Sequence, residues 1–168
     1  MTDDAAPRVT VRRAVEEDDG ALLAIDKTAW DASSGFPSYQ ETLQDSFFAR
    51  SGPDAHLVAE YGGAVVGYVR LENKYKFPEG AGVLGINGLA VAETARRRGV
   101  ANALMEAATA EAHRRGARKL TLHVHMTNAP AVALYKQHGY TIEGTHPSEF
   151  LIDGVLIGHY TMAKLLQD

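Results

Sequence analysis

The 168-residue chain contains no cysteine, which excludes disulfide staples, thiolate metal ligands and a cysteine nucleophile together. Long apolar runs are missing as well. Glycine or a charged residue interrupts each one, so nothing approaches the roughly 18 to 20 residues that span a bilayer. The first residues, Met1-Thr2-Asp3-Asp4, lack the basic stretch and apolar core of a secretory signal, so the expectation is a cytoplasmic protein with no membrane partner. Excess positive charge is also absent. With a formal net charge of −4, the chain has no general attraction for nucleic acid, and any basic site must be a local patch. Repeats and linkers are lacking too, so residues 1–7 are expected to be a mobile tail and residues 8–168 one domain.

What the chain does contain is periodicity. Val9-Thr10-Val11-Arg12-Arg13 alternates as a strand does, and residues 16–31 place Leu22, Ile25 and Ala29 on one helical face. Gly35 and Pro37 interrupt that helix, and Leu43 and Phe47 predict a second one over residues 39–50. Two apolar runs, 56–61 and 64–71, flank Gly62-Gly63, a dipeptide suited to a tight hairpin turn. Residues 83–91 form another strand, in which Gly85 and Gly88 mark a bulge or a close backbone approach.

Ala101, Leu104, Met105, Ala108 and Ala112 then make an amphipathic helical stripe that stops near Gly116. Leu120, Leu122, Val124 and Met126 alternate with Thr121, His123, His125 and Thr127, so the chain returns as a strand. Strand, helix and strand imply a right-handed parallel crossover. A short helix over residues 129–138 and two antiparallel strands, near 140–145 and 155–164 and joined at Asp153-Gly154, complete an α/β fold with a mixed sheet.

One segment carries chemistry. Arg96-Arg97-Arg98-Gly99-Val100-Ala101 lies between a strand and a helix, where unsatisfied backbone N–H groups and a partial positive charge attract phosphate. Gly99 and Ala101 leave room for a ligand, although a short Arg-rich turn can also be an ordinary helix cap. The wider pattern is more specific. Strand, Arg96-x-x-Gly99-x-Ala101, helix, strand, then Asn128-Ala129 followed by Leu134-Tyr135 and Gly139-Tyr140, resembles the GNAT superfamily of N-acetyltransferases. Ala131 to Ala133 match the second motif only loosely.

The resemblance implies a single-domain GNAT fold, with a mixed sheet of about seven strands flanked by four helices and splayed between the fourth and fifth strands. It implies acetyl-CoA as cosubstrate, its pantetheine arm along Leu89, Ala90 and Val91 and its pyrophosphate on the loop Arg96, Arg97, Arg98, Gly99, Val100 and Ala101. Asn128 would hold the pantetheine or cap the short helix. Tyr135 stands where many members place the acid for the departing thiolate. The fourth-strand glutamate of some members corresponds to Gly85 here. His123, on the fifth strand, is the substitute base, with a water relay through Asn87 or Glu72 as the alternative.

The oxyanion donor by resemblance is a backbone N–H of Leu89 or Ala90. No metal site is expected, because no third ligand lies near His123 and His125 in sequence. The acceptor side would hold Trp30, Asp31, Phe36, Tyr39, Tyr75, Phe77, His146 and Glu149. The implied activity is acetyl transfer to a primary amine of a small molecule by direct attack in a ternary complex. A protein or peptide N-acetyltransferase and a non-catalytic acyl-CoA-binding module are the alternatives, and family members are often homodimers.

Overall fold

The sheet begins from a hairpin that local chemistry dictates. Gly62 and Gly63 take φ values of 60° and 80°, the left-handed pair that a tight turn between twisted strands requires. They join β2 (His56–Tyr61) to β3 (Ala64–Asn73). β1 (Thr10–Arg13) pairs antiparallel with β2, and β4 (Val83–Val91) pairs antiparallel with β3. The computed structural model describes residues 6–31, 33–43 and 45–166; of the expected tail, residues 1–5 lie outside that range.

Helix α3 (Val100–Arg114) carries the chain from β4 back to β5 (Lys119–His125), which pairs parallel with β4. Its buried stripe runs through Val100, Leu104, Met105, Ala108 and Ala112. Val100 takes the place in the stripe that the periodicity assigned to Ala101, which is half-buried. Burying side chains the size of Leu104 or Met105 contributes about 1.5 to 3 kcal/mol each, so this stripe anchors the crossover. Gly116, with φ of 73°, ends the helix.

Helix α4 (Ala129–Gln137) follows β5, and the long hairpin of β6 (Thr141–Ile152) and β7 (Val155–Leu165) turns at Asp153-Gly154. The seven strands lie in the order β1-β2-β3-β4-β5-β7-β6. Two cores separate by strand alternation. Val69, Leu71, Leu120, Leu122 and Val124 pack with α3, Tyr135 and Tyr140 on one face. Val58, Tyr68 and Ala90 pack on the other against Leu22 and Ile25 of α1 (Asp19–Ala29).

The second helix is shorter than its pattern predicts. α2 covers only Pro37–Thr42, Leu43 turns extended with ψ of 126°, and Phe47–Ala49 form a separate 3-10 turn. Tertiary hydrogen bonds account for the break: the Phe48 N–H and the Ser46 hydroxyl both donate to Asp19, at 3.0 and 2.8 Å. Phe47 and Phe48 then pack against the α1 core, a gain that outweighs continuing the helix. Among the described residues no helix is long and apolar enough to cross a membrane.

Candidate active site

The sheet is continuous only up to a point. β4 and β5 are in register from Val83↔Lys119 to Ile86↔Leu122, and there their ladder stops, although β4 continues to Val91 and β5 to His125. One cause is visible on the far side of β4. Its pairing with β3 steps from Arg70↔Gly88 to Leu71↔Ile86, leaving Asn87 as an extra residue, and such a bulge bends its strand and increases the local twist. The expected irregularity at Gly88 thus falls one residue earlier. Beyond it, Leu89, Ala90 and Val91 are paired to β3 alone, so their other edge is free to pair with an extended ligand.

The opening holds a cleft of about 790 Å³. Its lining comes from both faces of the sheet: His123 and Tyr68 from the α1 face, and Tyr135, Ala131 and Asn128 from α4 and its N-terminus. Leu89 and Gly88 form its floor at the gap. Only a splayed sheet lets these groups meet.

Tyr135 is buried, and its hydroxyl makes no hydrogen bond with any described residue. Burial pushes its pKa up to about 12, so the phenol keeps its proton at neutral pH. His123 is exposed to the cleft, its ring 5.4 Å from that of His159. Desolvation, helped by the neighbouring His159, Lys74 and His146, lowers its pKa, which favours the neutral, proton-accepting imidazole. His125 lies on the polar strand face with His123, as alternation suggested, but is not open to solvent. It is buried, its Nε2 lies 2.9 Å from the Gly35 carbonyl, and its ring meets Phe36 edge-on at 4.9 Å. Together with the bond from Thr127 Oγ1 to the Ser33 carbonyl, 3.0 Å, it ties the α1–α2 connection to the end of β5. Among the described residues no three His, Asp or Glu side chains are grouped to hold a metal ion.

Asn128 caps α4, its Oδ1 accepting from the Ala131 N–H at 3.3 Å, and it lines the cleft as well. The arginine loop lies outside the cleft lining, at the start of α3. Arg97 and Gly99 take positive φ values of 64° and 78°, no side chain caps the helix, and nothing lies within 4 Å of where a Cβ of residue 99 would be. The first-turn N–H groups are thus left without a side-chain acceptor, as a phosphate site requires. Arg98 turns aside to Tyr61, its Nη1 3.3 Å from the phenol oxygen.

Of the expected acceptor residues, Trp30, Phe36 and Tyr39 line the cleft. Asp31 instead closes its own turn with Ser33 and Ser34. Tyr75 and Phe77 stack on each other at 5.2 Å away from the lining, and His146 stacks on His159 at 4.5 Å. Sequence reasoning missed Asp26, Tyr68 and Arg70. Asp26, fully buried, accepts hydrogen bonds from Tyr68, from the Tyr39 hydroxyl at 2.7 Å and from Trp30 Nε1 at 3.1 Å. Burial and the Asp26 carboxylate together push the Tyr39 phenol up to about 12. The Tyr68-Arg70-Glu72 alternation was visible in the sequence; the value of Asp26 was not.

The model of the Acetyltransferase (GNAT) family matches residues 21–140. The L-amino acid N-acetyltransferase AaaT of Escherichia coli (strain K12) is 33% identical over 110 residues, which are 65% of this chain and 67% of that protein. A ribosomal-protein-alanine N-acetyltransferase from Brucella melitensis superposes with a TM-score of 0.75 at 26% identity, covering 94% of this chain and 99% of that one. The YncA protein of Salmonella typhimurium, solved with its cofactor acetyl-CoA, superposes with a TM-score of 0.76 over 96% of this chain and 95% of its own, and at 19% identity the likeness is one of fold.

Proposed function

The chain belongs to the GNAT acetyltransferase family, and from that premise we propose that it moves an acetyl group from acetyl-CoA to the primary amine of a small molecule bound in the cleft. The observation that carries this reading is the gap in the sheet, through which Tyr135 and His123, held on opposite faces, line one cavity. The volume of about 790 Å³ is in the range of a small-molecule site, which supports the small acceptor over a polypeptide. The name of the Escherichia coli relative, an L-amino acid N-acetyltransferase, points to the same acceptor class.

The residues present fit the donor. The free edge of Leu89, Ala90 and Val91 would hold the pantetheine amides, and the uncapped N–H groups over residues 97–101 would hold the pyrophosphate, with Arg96, Arg97 and Arg98 adding charge. Asn128 lies where it can contact the same arm. When bound, acetyl-CoA supplies an acetyl group activated as a thioester. His123 takes the proton of the attacking amine, and the N–H of Leu89 or Ala90 donates to the carbonyl oxygen as it gains charge. Tyr135 gives its proton to the sulfur as the C–S bond breaks. The desolvation that raises the phenol pKa also raises that of a thiolate in the same gap, so acid and leaving group stay matched.

Thiol release measured with acetyl-CoA and a panel of amines tests the proposal, with Tyr135→Phe as the control. The variant should lose about 10²- to 10⁴-fold in kcat, with unchanged acetyl-CoA affinity and unchanged stability, because the hydroxyl makes no internal hydrogen bond. Unaltered turnover would remove Tyr135 from the mechanism.

A further inference from the structure

The cleft contains a cation that acetyl transfer does not use. Tyr68, Arg70 and Glu72 line the cleft from one face of β3, and Arg70 lies opposite Gly88 in the ladder. The bare Cα of Gly88 keeps the ground in front of it clear. A Cβ there would stand 3.3 Å from the Tyr68 ring and 3.8 Å from the Arg70 Cβ.

The guanidinium is only partly occupied. Glu72 Oε1 lies 3.3 Å from Arg70 Nε, an ion pair without hydrogen-bond alignment. Nη2 donates to the Asn87 carbonyl at 3.1 Å. Both protons of Nη1 and the second proton of Nη2 find no acceptor among the described residues. The nearby carboxylates are better served. Glu72 also receives Asn87 Nδ2 at 3.4 Å, and Asp26 receives Trp30, Tyr39 and Tyr68. Arg50 is a further cation in the lining. The groups of this wall left without a protein partner are cationic, and the guanidinium fork open to the cleft matches a planar carboxylate.

A bare amine gains nothing from that fork and enters the cleft with the same sign of charge. We propose that the acceptor is an amino acid or amino-acid-like zwitterion, whose carboxylate is held by the terminal nitrogens of Arg70 while its amine points along β4 toward Leu89. The spacing fits. Gly88 and Leu89 are consecutive on β4, a rise of about 3.3 Å, the scale of the separation between amine and carboxylate on one α-carbon. This inference rests on the cleft being the acceptor site, and it makes Arg70 the residue that selects the substrate class.

Steady-state thiol release with matched acceptors tests it: methionine against 3-(methylthio)propylamine, phenylalanine against phenethylamine, and each amino acid against its amide. The wild-type enzyme should favour the free carboxylate by about 10- to 100-fold in kcat/KM, the scale of a charge-assisted pair of hydrogen bonds. Arg70→Gln should abolish that preference by raising KM for the amino acids and, with one like charge removed, lowering KM for the bare amines, an opposite movement that a folding defect would not produce. Arg70→Lys should restore part of it. Equal use of amines and amino acids by the wild type, a preference for amides, or an Arg70→Gln enzyme that loses both members of a pair equally would overturn the assignment. Absence of turnover with every acceptor would overturn the small-molecule reading beneath it.

Discussion

Removing the carboxylate of Asp26 should loosen the acceptor wall and cost much of the stability of the domain. Three donors converge on this fully buried group, from Trp30, Tyr39 and Tyr68. A hydrogen bond to a charged acceptor contributes about 1.5 to 3 kcal/mol. Trp30 and Tyr39 are half-buried beside the cleft and can turn to water when released. Tyr68, only 4% exposed, cannot, and its stranded hydroxyl alone costs about 1 to 3 kcal/mol. Counting the other two at a fraction of their full value, Asp26→Ala should lose about 3 to 5 kcal/mol. That is a large share of the stability of about 5 to 15 kcal/mol typical of a domain. Asp26→Asn keeps the shape and one acceptor oxygen and should lose about 1 to 2 kcal/mol, which leaves a folded enzyme for kinetics. Its acceptor KM should rise several-fold with little change in kcat, since Tyr135 and His123 stand on other elements. Urea unfolding followed by the fluorescence of Trp30, the chain's single tryptophan, reads both the stability and the local environment. A loss under about 1 kcal/mol for Asp26→Ala would show that the carboxylate does not hold the three donors together.

Two further outcomes follow from titrating groups. The lowered pKa of His123 places the acid limb of kcat/KM below the ordinary histidine value, and His123→Gln should remove that limb; an unchanged pH–rate profile would instead favour the Glu72–Asn87 water relay. Glu111, gripped by Arg114 at 2.6 and 2.8 Å and by Arg115 at 2.9 Å, has its pKa lowered from 4.5 to about 2, chiefly by Arg114. Its folded pKa lies below the unfolded one, so its stabilisation is complete above pH 4.5 and fades as pH falls toward 2. Acid unfolding of Glu111→Gln should lack that part of the slope.

Strands and helices whose partners are close in sequence could be read directly. Gly62-Gly63, the α3 stripe and the alternation of residues 120–125 all express local periodicity, and each forms the expected element. Failures occurred where distant contacts decide. The helix expected to reach Arg50 yields to hydrogen bonds between Asp19 and residues 46 and 48. Asp26 gives no local signal of its role, because its partners lie 4, 13 and 42 positions away. His125 shares its strand face with His123, yet only the fold brings Gly35 and Phe36 over it. Tyr135 and His123 could each be singled out, but that they line one cleft required knowing that β4 and β5 part after Ile86 and Leu122.

That parting also bears on how fast the enzyme can cycle. An arm lying along the free backbone edge of residues 89–91, as proposed, would gain the same hydrogen bonds whether spent or charged. Such even-handed binding does nothing for the chemical step. With the arm placed as proposed, loaded and unloaded carrier would be told apart only at its tip, in the cleft that Tyr135 and His123 line. On that proposed placement, free coenzyme A should inhibit the enzyme, and its departure rather than the bond exchange would then set the pace of turnover.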